Sequence, residues 1–203
     1  MIDTFLRPPA TAGEVLADLL RVLGAGSAIL VAVLFGPVQL GVFALALLGL
    51  VAPRFVGLRP AVDVATGVVL LLASWASALD LYVSVPAVDI PMHLLLNALV
   101  AGLALLLLQR TRVVPALPRS ATVVVTTALG FTAGVLWEIG EWAGNRFLDA
   151  SIYVGYADTI GDLAVGGLGS LLAGLAMPWF AAESRWRGSA DESAGAGAAV
   201  PVS

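Results

Sequence analysis

The residues of this chain that are suited to chemistry are one histidine and a few carboxylates that repeat at about one helical turn. Asp89, His93 and Asn97 are four residues apart, so on an α-helix their side chains form one stripe. Two pairs of acids farther along are three or four residues apart and would each share a helix face. These pairs are Glu138 with Glu141 and Asp158 with Asp162, and Asp80 is a further acid upstream.

This set of side chains is suited to a metal ion or to acid–base catalysis. Like charges one turn apart repel, so a proton or a bound cation must relieve each pair. One His, several carboxylates and no Cys suit a divalent ion such as Mg²⁺, Mn²⁺ or Zn²⁺, which could activate water or hold a phosphate. Without a metal, a glutamate could act as general acid or base. The candidate metal ligands are Asp89, His93, Glu138, Glu141, Asp158 and Asp162; the candidate catalytic residues are Glu138, Glu141 and His93.

Most of these residues also have a purely structural interpretation. Asp89 and Asp158 could be N-caps of their helices. His93 could be a packed interior side chain, and Asp80 could simply mark the membrane boundary. Asn97 could make an interhelical hydrogen bond and nothing more. The paired glutamates fit a structural role least well, because arginine is better suited than paired glutamate to reach the interface from a helix end.

The composition is typical of an integral membrane protein. Of 203 residues, 60% are hydrophobic and only 12% are charged, with a mean hydropathy of +0.99, whereas soluble domains carry about 25% charged residues. At about 20 residues per span, the length allows about six crossings. The expected fold is all-α: a polytopic transmembrane bundle of about six spans in the plasma membrane, with the lipid bilayer as partner. A net charge of −4 without a basic stripe predicts no nucleic-acid partner.

The span limits follow from apolar runs and their polar ends. The Thr11-x-x-Glu14 pattern predicts a capping box at the first helix, Pro53 is expected to close the second, and Ser120 to cap the fifth. The expected spans are 11–35, 38–52, 62–82, 89–108, 120–145 and 159–179. The expected domains are a cytoplasmic N-terminal segment (1–18), a six-helix transmembrane domain (19–180) and a disordered cytoplasmic tail (181–203).

Small residues predict that the fifth and sixth spans pack closely. Gly130 and Gly134 are four residues apart, as are Gly166, Ser170 and Gly174. Such stripes let membrane helices approach each other. Close packing would hold the two ends that carry carboxylates rigidly together, as a site requires.

Three motifs in the second half of the chain form a family pattern. They read Asp89-x-x-x-His93, Glu138-x-x-Glu141 and Asp158-Thr159-x-x-Asp162-Leu163, with Gly169 beyond. The pattern resembles the YjdF-like inner-membrane proteins and is similar to the wider VanZ-like group, whose founding member is associated with teicoplanin resistance. Ile90, Glu141 and Gly166 stand where VanZ-like proteins usually carry Lys, Gln and Asn, and Glu141 favours the YjdF-like branch. The likeness covers about 89–174 and implies a membrane protein whose biochemical activity is unassigned.

Three classes of function remain open from the sequence. The first is an enzyme, with or without a metal ion, that acts at the outer leaflet on a lipid or lipid-linked envelope precursor. The second is a proton- or cation-coupled carrier, although the inner halves of the helices look free of charge. The third is a non-catalytic accessory membrane protein. The common signatures G-x-S-x-G and H-E-x-x-H do not occur in the chain.

Arginine positions predict the orientation of the bundle, with both termini in the cytoplasm. With six spans, nine of the ten arginines fall on the side of the termini, and Arg146 alone falls on the other. In this orientation, the helix ends that carry His93 and the paired acids face the outside of the cell. The nine are Arg7, Arg21, Arg54, Arg59, Arg110, Arg112, Arg119, Arg185 and Arg187.

Reporter fusions test this orientation. Fusions after Arg59, Arg119 and Arg187 should report a cytoplasmic location, because those loops carry the positive charge. Fusions after Asp89 or Arg146 should report an external one. A cytoplasmic signal at Arg146 would reverse the orientation and place the acidic layer on the inner face.

Overall fold

The computed structural model describes residues 1–85 and 88–182, and in these ranges the regular structure is entirely helical. Six of the helices are long and apolar enough to cross a membrane, which confirms the expected all-α bundle of six spans. The six are α2, α3, α4, α6, α7 and α8 in the following order: α1 (Ile2–Leu6), α2 (Ala12–Leu34), α3 (Gly36–Val56), α4 (Pro60–Ala78), α5 (Leu81–Ser84), α6 (Asp89–Arg110), α7 (Arg119–Phe147) and α8 (Tyr156–Ala181).

The start of the first span has one bond of the predicted capping box, and the reciprocal bond goes to the residue before the cap. The Thr11 hydroxyl accepts a hydrogen bond from the Glu14 N–H at 3.3 Å. The Glu14 carboxylate accepts one from the Ala10 N–H at 2.5 Å. Two backbone donors that the helix cannot satisfy are thus bonded at its first turn.

Pro53 does not close the second span, so this prediction is wrong. Proline removes only its own N–H, and α3 continues past it to Val56. The helix ends at Gly57, which adopts a left-handed conformation at φ 70°. There the N–H groups of Gly57 and Leu58 both donate to the Pro53 carbonyl, at 2.9 and 3.0 Å, which satisfies the helix end.

Two other helix ends differ from the sequence prediction. The third span stops at Ala78, because Asp80 adopts a left-handed backbone at φ 53° and turns the chain into the separate helix α5. Tyr82 therefore lies on α5 and not on the span. The fifth span begins one residue before Ser120, with Pro118 at the cap position, so Ser120 is not its cap.

The bundle consists of two groups of helices. In the first, α2, α3 and α4 pack on one another; in the second, α8 packs extensively on both α6 and α7. Smaller contacts of α6 with α3 and α4 join the groups. A buried cluster that includes Val62 of α4, Leu105 of α6 and Phe180 of α8 lies where they meet. Of the expected segments, 1–18 contains α1 and the start of α2, and the tail from 183 onward lies outside the described residues.

Glycines set the distance between the helices of the second group. As predicted, α7 and α8 pack through small residues, with Gly130 against Ser170 and Gly174 against the Val123 backbone. Gly169 faces α6 instead, where a Cβ would overlap the main-chain carbonyl of Leu94. The α6 and α8 backbones are therefore in direct contact one residue after His93.

A single added methyl group tests this contact. Gly169→Ala should lower the free energy of unfolding by roughly 1–3 kcal/mol, because a backbone carbonyl cannot yield without moving α6. Gly161→Ala, on the same helix, is the matched control, since a Cβ there meets nothing within 4 Å. Thermal unfolding in detergent measures both. Equal melting temperatures would contradict the close contact.

Candidate metal centre

Three of the predicted metal ligands meet at one end of the bundle. The Nε2 atom of His93 lies 3.3 Å from Oδ1 of Asp89 and 3.8 Å from Oδ1 of Asp162. One ligand atom from each of the three residues lies within 4.8 Å of the others. Asp89 and His93 come from successive turns of α6, and Asp162 comes from α8, where it is only 7% exposed. We call these three residues the triad.

The two His93 separations are of the size found between ligands of one ion, whereas Asp89 and Asp162 are close enough for a direct hydrogen bond. Hydrogen bonds from N–H to oxygen are usually about 2.7–3.2 Å long, and both His93 separations are longer. Two atoms that each lie about 2.1 Å from a tetrahedral metal ion are about 3.4 Å apart. The Asp89 and Asp162 carboxyl groups also approach each other closely. If both are ionised, they repel unless a cation or a proton lies between them.

The capping interpretation of Asp89 and Asp158 is wrong. The cap positions of α6 and α8 are held by Val88 and Gly155. Both aspartates lie in the first turn of their helices instead, where the helix dipole favours a negative charge. The Asp89 side chain is therefore available to face His93.

Asn97 lies one helical turn after His93 on α6 and contacts the His93 backbone. Its side-chain amide donates to the His93 carbonyl at 3.1 Å, and its side chain fills the space that a Cβ on Gly166 would occupy. It also lies beside Gly134 of α7. In the described residues the Asn97 side chain bonds within α6, so the interhelical hydrogen bond considered for it is not observed. The Asn97 main-chain carbonyl lies 3.4 Å from the Ser170 hydroxyl, which donates to the Gly166 carbonyl at 2.8 Å. Gly166 thus packs against α6, whereas the sequence predicted packing against α7.

Glu138 lies next to the triad but is not one of the three clustered groups. The Thr159 hydroxyl donates to its Oε2 at 2.7 Å. Thr159 precedes Asp162 by one turn of α8, so the two side chains are neighbours on one face. The Glu138 charge acts on both Asp158 and Asp162. Glu138 therefore belongs to the electrostatic surroundings of the triad.

Tyr82 on α5 adds a phenol to this end of the bundle that was not among the candidate residues. Burial raises the pKa of Tyr82, and the negative charges of Asp89 and Glu141 raise it further. The phenol therefore keeps its proton, and it donates to the Ala73 carbonyl at 3.3 Å. Because α4 ends before Asp80, Tyr82 lies on the separate helix α5. The sequence predicted one longer span through Tyr82, so it did not indicate Tyr82 as a site residue.

The other predicted residues surround the triad at greater distance. Glu141 is half-buried, and its charge acts on Tyr82. Asp158 is partly exposed and interacts electrostatically with Asp89, Glu138 and His93. Asp80 is exposed at the corner between α4 and α5. Within the described ranges, the structure thus brings three of the six predicted metal ligands together and leaves Glu138, Glu141 and Asp158 around them.

Comparison with known protein families gave a match over most of the chain. Residues 19–183 match the model of a family described as predicted membrane protein (DUF2238). The chain belongs to this family. The match includes all of α3 to α8 and hence the whole triad. The family description agrees with the expected integral membrane protein. It does not name the YjdF-like or VanZ-like proteins. Neither the curated proteins nor the solved structures gave a significant match.

A second charged cluster lies at the opposite end of the bundle, to which the sequence assigned nine of the ten arginines. Arg21 contacts Asp18 at 3.0 Å and Asp63 at 2.5 Å, and Arg54 also binds Asp18. The arginine side chains and Asp63 are only 12–13% exposed. The i, i+3 spacing of Asp18 and Arg21 was a local signal for one of these pairs; the others connect different helices.

The same cluster holds the short N-terminal helix against the bundle. Arg54 donates to the carbonyls of Phe5 and Arg7, both at 2.8 Å. The ring of Phe55 stacks on that of Phe5 with 4.2 Å between centroids. The N-terminal helix α1 is thus held against α3.

Neutralising one member of the cluster should destabilise the protein. Asp63→Asn leaves Arg21 without a full counter-charge in a mostly buried place, so we expect the free energy of unfolding to fall by about 3 kcal/mol. Asp3→Asn, at an exposed position, is the control and should change it by less than about 0.5 kcal/mol. Unfolding in detergent compares the two. Similar small effects would show that the cluster contributes little to stability.

Proposed function

We propose that the protein is a metal-dependent membrane enzyme in which Asp89, His93 and Asp162 bind one divalent cation. The expected substrate is a lipid or lipid-linked envelope precursor at the external face of the plasma membrane. The observation that carries the proposal is the spacing of the triad, in which a histidine nitrogen and two carboxylate oxygens face one another at distances suited to coordination. The arginine distribution supports an external position for this end of the bundle.

The residues around the triad supply what a hydrolytic or phosphate-binding site needs. An ion held by three protein ligands keeps open positions for water or a substrate oxygen, and it lowers the pKa of bound water. Glu138, fixed by Thr159, is placed to accept or return a proton. Glu141 and Asp158 add negative charge that increases the affinity for a cation. His93 acts in this proposal as a ligand, with Asn97 setting its main-chain position.

The carrier alternative gains one supporting observation, because the opposite end of the bundle also contains charged groups. These charges are paired with one another, two arginines with two aspartates, and they lie in the α2–α4 group. The triad lies in the α6–α8 group. A carrier would need a polar connection between the two ends, and in the described residues the buried cluster where the two groups meet is apolar. Flux of protons or divalent ions into liposomes that contain the protein would favour the carrier.

Metal binding tests the metal centre on which the enzyme proposal depends. Elemental analysis of the purified protein should find about one divalent ion per chain. The cation that binds should also raise the melting temperature, since free ligand at 100 times its Kd stabilises a protein by about 2.7 kcal/mol. His93→Ala and Asp162→Asn should lose both effects and still fold. Asp80→Asn removes an exposed acid near the same end and should retain both.

Two results would overturn the proposal. One is a wild-type melting temperature that does not change with Mg²⁺, Mn²⁺ or Zn²⁺, together with no bound metal. The other is metal content that is equal in the wild type and in the triad variants. In either case the triad would be a hydrogen-bonded structural group.

A further inference from the structure

A groove of about 350 Å³ runs along the lipid-facing side of α7 and α8 beside the triad. Its walls are largely apolar, and Glu138 and Thr159 provide a polar spot within it. Glu138 belongs both to this groove and to the surroundings of the triad. The lining residues are Val135, Glu138, Ile139, Trp142, Val154, Thr159 and Leu163.

The groove has apolar side chains at both ends and one polar spot between them. Val135 and Trp142 are seven residues apart on α7, which corresponds to about 10 Å along the helix. Val135 and Leu163 lie at the end toward the membrane centre, and Glu138 lies about one turn farther out. Trp142 and Val154 form the outer end, and tryptophan is typical of the membrane–water boundary. The inner apolar part, below Glu138, thus has room for hydrocarbon, and the polar spot lies between it and the boundary.

The side chains of the groove do not suit a second helix. Membrane helices pack through small residues. Gly130 and Gly134 of α7 already face other helices of the bundle, and Gly140, which faces open space, does not line the groove. The groove side of α7 carries the bulky exposed side chains of Val135, Ile139 and Trp142. A flexible hydrocarbon chain can follow such a surface, whereas a packed helix would have to bury the Glu138 carboxylate against itself.

We propose that this groove binds the hydrocarbon chain of a membrane lipid that enters sideways from the bilayer. The chain lies along Val135, Ile139 and Leu163, and the head group lies at Glu138 and Thr159. Thr159 and Asp162 are one turn apart on α8, so a head group at Thr159 lies next to the triad. What happens to the head group rests on the proposed metal-dependent function; binding of the chain does not.

Photo-crosslinking tests the groove independently of the metal. The protein is reconstituted into phosphatidylcholine vesicles that contain a small fraction of a phosphatidylcholine with a photoactivatable acyl chain. EDTA is present, so that the triad holds no divalent ion. Peptide mapping should find the label concentrated on the outer half of α7 and the first turns of α8, relative to lipid-facing residues elsewhere.

Two matched variants make the test specific. Val135→Trp fills the inner end of the groove and should reduce labelling there roughly tenfold, equivalent to about 1.4 kcal/mol of chain binding. Val124→Trp adds the same bulk to a residue of α7 that does not line the groove and is 67% exposed, so labelling should not change. Melting temperatures near that of the wild type show that both variants fold.

The outcomes separate the groove from the metal centre. Label spread evenly over all lipid-facing helices, or equal label in both valine variants, overturns the groove. Crosslinks from α7 to a second copy of the chain also overturn it, because the groove would then be a helix interface. Concentrated label in a protein that binds no metal supports the chain site while the proposed metal-dependent function fails. Bound metal without concentrated label gives the reverse result.

Discussion

The direct backbone contact between α6 and α8 is the constraint on which the rest of the site depends. The absence of a side chain at Gly169 lets the Leu94 carbonyl approach, and this fixes the distance and rotation of the two helices. His93, the residue before Leu94, is thereby turned toward Asp162. A shift of α8 by one residue would rotate it by about 100° and direct the Asp162 carboxylate away from its partners. At the membrane centre an unpaired carboxylate costs about 2.5–3.5 kcal/mol, so packing and charge pairing favour the same arrangement.

The two charged clusters show two ways of keeping ionisable groups in an apolar bundle. Near Arg54 the charges balance within the protein, because two arginines meet two aspartates. The triad and its neighbours carry five acids and one histidine, so their balance requires protons or an external cation. The first arrangement stabilises the α2–α4 group. The second has a surplus of negative charge, which lowers the stability of the fold. Such a surplus is expected at a site that binds a cation.

The sequence was sufficient to predict the helices and to predict which residues share a helix face, because hydropathy and helical spacing are local properties. It predicted six spans, the capping box at Thr11 and the stripe of Asp89, His93 and Asn97. It could not show toward which neighbour each face turns. Hence Gly166 was expected to pack against α7 and in fact packs against α6. The pairing of Asp63 with Arg21 was missed for the same reason, since it joins residues 42 positions apart.

The division into two groups of helices has a consequence for biosynthesis. The first three spans contact one another more than they contact the rest, so they can assemble in the membrane while the ribosome is still making the second half. In that interval Asp89 and His93 enter the bilayer region before Asp162 has been synthesised. The triad is therefore completed only when the last span has been inserted, so the first helix group can form before the site exists.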